Sequence, residues 1–202
     1  MKLYYSPGTC ALASHIALEE AKLPYTAVKV DLATKRTADG GDYLAVNEKG
    51  YVPTLVLDDG GILTENAIVL QYIADQNPGT DLAPAHGTFE RYRLGEWLNY
   101  LASEIHKGFG PLWNAQSPQE TKDTAKRNLA KRFAYIEKRL ASTPFLMGDT
   151  FTIADAYLFA MLNWPEHLGV DISPFPKLRD FRARVKSRPA VQKAMRDEGL
   201  TP

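Results

Sequence analysis

Met1-Lys-Leu-Tyr-Tyr-Ser-Pro-Gly-Thr-Cys10, running on into Ala-Leu-Ala-Ser-His-Ile-Ala-Leu-Glu-Glu-Ala21, decides how the rest of the chain is read. Lys2–Tyr5 is apolar and aromatic, as a buried strand requires. Ser6-Pro7-Gly8-Thr9 is a turn cluster. Beyond Cys10, Leu12 and Ile16, with Ala13 and Ala17, fall on one helical face. A strand therefore feeds a helix through a tight turn, and a second strand should follow. Thr26–Leu32 supplies it, through Val28 and Val30. A polar stretch with Gly40-Gly41 leads to a short helical piece around Tyr43–Val46. Thr54–Leu57 and Ile62–Thr64 flank Asp58-Asp-Gly-Gly61, a hairpin signature, because Asp and Gly tolerate the positive φ of a tight turn. Glu65–Asp75 closes the unit with Ile68, Val69, Tyr72 and Ile73 at helical spacing. The order β-α-β-α-β-β-α describes a sheet with helices packed on it, an α/β or α+β layer arrangement. Asn77-Pro78-Gly79 breaks the last helix, and residues 77–87 read as a linker.

From Thr88 onward the pattern is all helix. Leu94, Trp97, Leu98, Leu101 and Ile105 stripe a helix over Thr88–Phe109. Ser117 and Pro118 open the next, as N-cap and first helical residue. Its apolar residues Ala125, Leu129, Phe133, Ile136 and Leu140 recur at spacings of three and four. Seven Lys/Arg against three Asp/Glu cover its other face, which reads as a solvated surface before a nucleic-acid one. Phe151-Thr-Ile-Ala-Asp155 is a capping box in which Thr152 and Asp155 fix the start of an apolar helix. Pro174 and Pro176 precede a further helix, and Arg188-Pro189 starts the last.

The 202 residues fit one or two domains and need neither disulfide nor metal to fold. Lys+Arg and Asp+Glu both number 24, which argues against a dedicated nucleic-acid binder. The balance hides an asymmetry: residues 1–80 carry net −4 and residues 81–202 net +4, so the seam near 80 is the expected domain boundary. One cysteine forbids an intrachain disulfide and fits a reducing compartment. The N-terminus lacks a secretory apolar stretch and no apolar run approaches 18 residues, so a cytoplasmic protein without a membrane span is expected.

Few residues stand out as chemistry. Cys10 begins a helix, where amide dipoles lower a thiol's pKa, although a lone cysteine is as readily an inert small residue. Val52-Pro53 precedes a strand; a cis bond would turn the Val52 backbone outward to a peptide-like ligand, and a trans bond would merely open the strand. At Thr64-Glu65-Asn66 a helix start could bind a carboxylate while Glu65 holds an ammonium, or Thr64 or Asn66 could simply cap. Asn99, Ser103 and His106 form a polar stripe with Glu96 at one end, either a site or a wet interhelical contact. His106 could orient a thiol or exchange a proton near neutral pH. His15, His86 and His167 have no metal-ligand spacing with each other or with Cys10, and no metal site is expected.

Met1–Cys10, Asn47-Glu-Lys-Gly-Tyr-Val-Pro53, Leu63-Thr-Glu-Asn66, Glu96-Trp-Leu-Asn99, Ser103-Glu-Ile-His-Lys-Gly108 and Phe151–Leu158, in this order and spacing, resemble the bacterial beta class of cytosolic glutathione transferases. The resemblance implies a thioredoxin-like N-terminal domain (1–80) and an all-α C-terminal domain (87–202), paired in a homodimer. It implies that Val52 before a cis Pro53 pairs with the cysteinyl backbone of glutathione. Glu65 and Asn66 would hold the γ-glutamyl end and Lys35 the glycine carboxylate. Asn99, Ser103 and Glu104 would close the site, some of them from the partner. Cys10 would lie beside the glutathione sulfur, with His106 and Lys107 near. Electrophiles would enter around Phe109, Trp113, Trp164 and His167. Residue 11 is alanine where many relatives have serine, which moves thiolate stabilisation onto Cys10, backbone amides and His106. The implied activity is conjugation of glutathione to small electrophiles. The alternatives are disulfide, peroxide or reductive-dehalogenation chemistry through a Cys10 mixed disulfide, or a non-catalytic binding protein. The opposed charges of the two halves would help one subunit's first domain meet the other's second.

Overall fold

The computed structural model describes residues 1–201, so Pro202, the end of the expected helical domain, lies outside the described residues. Strands β1 (Lys2–Tyr5), β2 (Thr26–Asp31), β3 (Arg36–Thr37), β4 (Thr54–Val56) and β5 (Ile62–Leu63) form one sheet in the order β3-β2-β1-β4-β5. β1 and β2 run parallel, joined by helix α1 (Ala11–Glu20), and every other pair is antiparallel. Helix α2 (Asn66–Gln76) packs beside α1. This is the thioredoxin-like layer arrangement, with two differences from expectation. The polar stretch before Gly40 contains β3, a two-residue edge pairing with too few apolar residues to signal itself. The helical piece at Tyr43–Ala45 is a single 3-10 turn.

The remaining chain is helical. α3 (Phe89–Tyr100) continues without a break into a π-helical segment over Leu101–His106 and a 3-10 turn over Lys107–Phe109, then α4 (Gly110–Trp113). α5 (Gln119–Leu140) buries Ala125, Leu129, Phe133, Ile136 and Leu140, the stripe read from the sequence. Its start is one residue later than expected: Pro118, not Ser117, is the cap, with ψ 149°, and its carbonyl accepts from Lys122 N–H. α6 (Ile153–Met161) is buried along its whole length, and α7 (Pro165–Leu168), α8 (Pro176–Lys186) and α9 (Pro189–Asp197) complete the chain.

α1 joins the two halves. Eight of its ten residues are buried, because the sheet and α2 cover one side while α6 and α9 cover the other. A helix that is apolar all round needs such cover. The charge asymmetry is resolved within the chain at this seam and the adjoining linker. Arg188 binds Glu20 through two bonds of 2.6 and 2.9 Å, Lys193 meets Glu19 at 2.8 Å, and Arg91 grips Asp75 at 2.8 and 3.0 Å. His15, Glu19 and Asp197 gather at the same seam, and the Lys193 ammonium lies between the two carboxylates, 2.7 Å from Asp197. Among the described residues no helix is long and apolar enough to cross a membrane.

Candidate functional site

The β1–α1 turn holds the only cysteine. Gly8 has φ +69°, a conformation that only glycine adopts without cost. The helical half grips its peptide unit from both sides: Glu198 Oε2 accepts the Gly8 N–H at 2.9 Å, and Trp164 Nε1 donates to the Gly8 carbonyl at 2.8 Å. Cys10 follows as the cap residue of α1 with no side-chain cap of its own, and its thiol donates to the Val52 carbonyl at 3.3 Å. The Val52–Pro53 peptide is cis. The cysteine, the loop before β4 and the start of α1 therefore meet at one point.

The thiol's electrostatics reverse the expectation from its helix-start position. The amides of Cys10 and Ala11 do pull its pKa down, but burial outweighs them and, with Glu65 and Glu198 adding to it, pushes the thiol up to about 12. Cys10 is 7% exposed, and the desolvation of a thiolate there exceeds what two partial charges return. His106 is displaced the opposite way. Burial, reinforced by Lys107, lowers it to about 4, so it is a neutral imidazole at pH 7 rather than a group titrating there. Its Nδ1 lies 2.8 Å from the Tyr157 hydroxyl, and its ring stands edge-on to Trp164 at 5.1 Å.

Glu65 precedes α2 with φ +66° and ψ 110°, a strained backbone for a side chain with a Cβ. Its carboxylate is exposed and pairs with Lys49 at 2.9 Å; the Lys49 ammonium also donates to Thr64. Among the described residues, nothing accepts the amides of Asn66 and Ala67. The capping expected of Thr64 or Asn66 does not occur. The Asn66 side chain is turned inward instead, where its Oδ1 accepts from Ser14 at 2.7 Å. Lys35, itself at φ +56°, donates to the Gly50 carbonyl at 2.9 Å, two residues before Val52.

The polar stripe lies apart from the thiol. Asn99 and Ser103 are exposed, and the Ser103 hydroxyl donates to the Asn99 carbonyl. Glu104 is held by Arg132 at 2.6 Å. Ser103, Glu104 and Lys107 line a cleft of about 460 Å³ against α5 that Cys10 does not line. Of the residues expected to receive an electrophile, Phe109 is ruled out: its ring is fully buried between Phe133 and Trp164 and belongs to the core. Trp164 is almost buried, Trp113 stacks edge-on to it at 5.5 Å and is 54% exposed, and His167 is exposed on α7. Three contacts to the candidate site residues gave no signal in the sequence. Glu198 lies in a charged C-terminal stretch, Arg132 on a cationic helix face, and Tyr157 inside the capping-box segment, where folding already accounts for the residues.

A thiol at the first helix start of a thioredoxin-like sheet, facing a cis-proline loop and covered by an all-helical half, defines a class of thiol-handling two-domain proteins. The chain belongs to the glutathione S-transferase family. Residues 8–76 match the model of the glutathione S-transferase N-terminal domain, and residues 100–189 that of the C-terminal domain. Glutathione S-transferase GstA of Escherichia coli O157:H7 is 45% identical, over 99% of this chain and all of the relative. A sphingomonad glutathione S-transferase solved with glutathione superposes with a TM-score of 0.96 at 46% identity, covering both chains completely. The bacterial beta-class enzyme of Sphingomonas chungbukensis does so at 47% identity with the same TM-score and coverage.

Proposed function

We propose that this chain is a glutathione transferase that joins the glutathione sulfur to small electrophiles, working as a homodimer in the cytoplasm. The observation that carries the reading is the meeting of Cys10, the cis Val52–Pro53 loop and two helix starts with free amides. Glutathione lies along the sheet half. The Val52 backbone pairs with its cysteinyl unit, Glu65 and the amides of Asn66 and Ala67 hold the ammonium and carboxylate of the γ-glutamyl end, and Lys35 takes the glycine carboxylate. A helix start favours anions, which suits both that carboxylate and a thiolate. The sulfur sits near Cys10, where the amides of Cys10 and Ala11 favour its ionised form, and attacks an electrophile held near Trp113, Trp164 and His167. The sulfur–carbon bond forms as the leaving group departs with its electron pair.

Asn99, Ser103 and Glu104 close the partner's site: Ser103 and Glu104 line a different cleft from Cys10 in their own chain, and the Asn99 carbonyl accepts from the Ser103 hydroxyl one turn away. Tyr51, Phe89 and Tyr92 are 65–71% exposed, apolar surface of the kind a subunit contact covers. The domain boundary falls near residue 80, between the two matched segments. The raised Cys10 pKa favours conjugation over chemistry that begins with a Cys10 thiolate, because a buried thiol that keeps its proton donates a hydrogen bond and attacks poorly.

Retention on immobilised glutathione together with turnover of an activated aryl halide is the expected result. Absence of both would leave a non-catalytic binding protein. Treatment with oxidised glutathione and intact-mass measurement separates the redox reading: a stoichiometric Cys10 adduct with reduction of disulfide substrates would replace conjugation as the main activity.

A further inference from the structure

Glu198 is a costly residue where it stands. Its side chain is fully buried, and it caps the C-terminal end of α9, where a negative charge meets the negative end of the helix dipole. An apolar side chain of similar size would avoid both costs. Each of its oxygens is committed. Oε1 lies 3.1 Å from Nδ1 of His15, and Oε2 accepts the Gly8 N–H at 2.9 Å. His15 is held in turn: it is almost fully buried on α1, with its ring 5.5 Å from those of Tyr5 and Tyr25.

The N–H that Glu198 takes belongs to the movable peptide of the turn before the thiol. The Ser6 carbonyl accepts from the Thr9 N–H at 3.2 Å, Pro7 holds the second position at its ring-fixed negative φ, and Gly8 holds the third at φ +69°. That combination is a type II turn. A type I turn joins the same four residues through the same end-to-end bond, with the Pro7–Gly8 peptide rotated so that the Gly8 N–H points the other way. Proline at the second place suits both forms, and glycine at the third tolerates both. Two contacts from outside the turn favour the form observed: Glu198 takes the Gly8 N–H, and Trp164 Nε1 donates to the Gly8 carbonyl at 2.8 Å. We infer that Glu198, aimed by His15, is a positioning residue that locks the Ser6–Thr9 turn in its type II form and so holds Cys10 and the first amides of α1 opposite the Val52 carbonyl. The thiol lies two residues beyond Gly8, and its 3.3 Å contact with Val52 is what a flip of the turn would disturb. The consequence rests on the proposed transferase reading. A turn free to flip misplaces the donors around the glutathione sulfur and leaves the groups that hold its γ-glutamyl and glycine ends untouched.

The first test reads the turn without turnover, by amide hydrogen exchange followed with NMR. The Gly8 amide should be protected in the unmodified protein, lose about tenfold or more of that protection in Glu198→Leu, which fills similar space without an acceptor, and recover most of it in Glu198→Gln. The glutamine oxygen can take the Gly8 N–H while its amide donates to His15 Nδ1, because the unpartnered Nε2 of His15 is free to carry the ring's hydrogen. In kinetics, Glu198→Leu should lower kcat about tenfold or more and change the glutathione KM by less than about twofold, with Glu198→Gln restoring most of kcat. An unprotected Gly8 amide in the unmodified protein overturns the proposal. So does a Glu198→Leu variant that loses stability and keeps its kcat per folded molecule. If Glu198→Leu does not fold, Glu198→Ala decides by the same criteria. A protein that conjugates nothing yet shows the expected exchange pattern refutes the transferase reading and leaves the lock on the turn standing.

Discussion

Two helix starts in this molecule are built from similar materials and used in opposite ways. At α6 most early donors are spent. Asp155 takes the Thr152 N–H at 2.8 Å and the Thr152 hydroxyl at 2.9 Å through one oxygen, and the Leu146 N–H at 2.8 Å through the other. The Ile153 N–H goes to the Leu82 carbonyl at 3.0 Å. At α1 the cap residue is Cys10, which caps nothing, and Ala11 N–H has only a 3.4 Å contact with the Thr9 hydroxyl. α2 starts in the same open way behind Glu65. A closed start contributes stability. An open start keeps amides in reserve for a ligand's charge, and the protein loses the stability that capping would have added.

The largest effect should come from breaking the closed start. Asp155→Ala orphans buried N–H groups of Leu146 and Thr152 and should cost about 2–4 kcal/mol in urea unfolding. Conjugation per folded molecule should stay unchanged; a loss of turnover without loss of stability would contradict the contrast. Next comes the open start at α2. Glu65→Gly removes the γ-glutamyl partner and should raise the glutathione KM about tenfold, a loss of roughly 1.4 kcal/mol. The same change relieves the positive φ and should stabilise the fold by about 1 kcal/mol. The Lys49 pair it breaks is solvent-exposed and contributes little. An unchanged KM would move the γ-glutamyl end elsewhere.

At α1, Cys10→Ala should abolish reduction of disulfide substrates while slowing conjugation by about two- to tenfold, the worth of one hydrogen bond to the sulfur. Equal loss of both would make Cys10 the nucleophile. The effect that is smallest at neutral pH concerns His106. Its folded pKa of about 4 lies below the ordinary 6.5, so between those values the unfolded chain binds a proton that the native protein refuses. Its contribution therefore lowers stability as the pH falls from about 6.5 towards 4 and vanishes above that window. His106→Asn should flatten the acid side of a urea-midpoint profile; an unaltered slope would place the proton uptake on other groups.

The sequence was most legible where a periodic pattern coincided with burial. The α5 stripe, the Thr152–Asp155 box and the Asp58–Gly61 hairpin all rest on local spacing, and the structure keeps them. Local spacing also marked Cys10 as a helix start, yet it gave the wrong sign for the thiol. The decisive cause is burial of the thiol, at the head of a helix packed on α6 and α9, more than 130 residues further along the chain. The same distance hid Glu198 and Trp164 as the two grips on Gly8. The π-helical turn over Leu101–His106 has no composition signal at all, and Phe109, placed by resemblance in a pocket, is packed away behind it.

The concealment of α1 also bears on how the molecule could have arisen. Buried residues from the sheet half and the helical half form a single cluster, in which Leu12, Ile16 and Leu18 join Ala156, Leu158, Val191 and Met195. A freestanding ancestor of the first eighty residues would have carried a polar outer face on α1. With Ala13, Ala17 and Ala21 fully buried, this chain has no such face. Cutting the chain between 77 and 87 would therefore not release two modules. It would split one cooperative unit and leave the sheet half with a naked apolar helix, prone to aggregate.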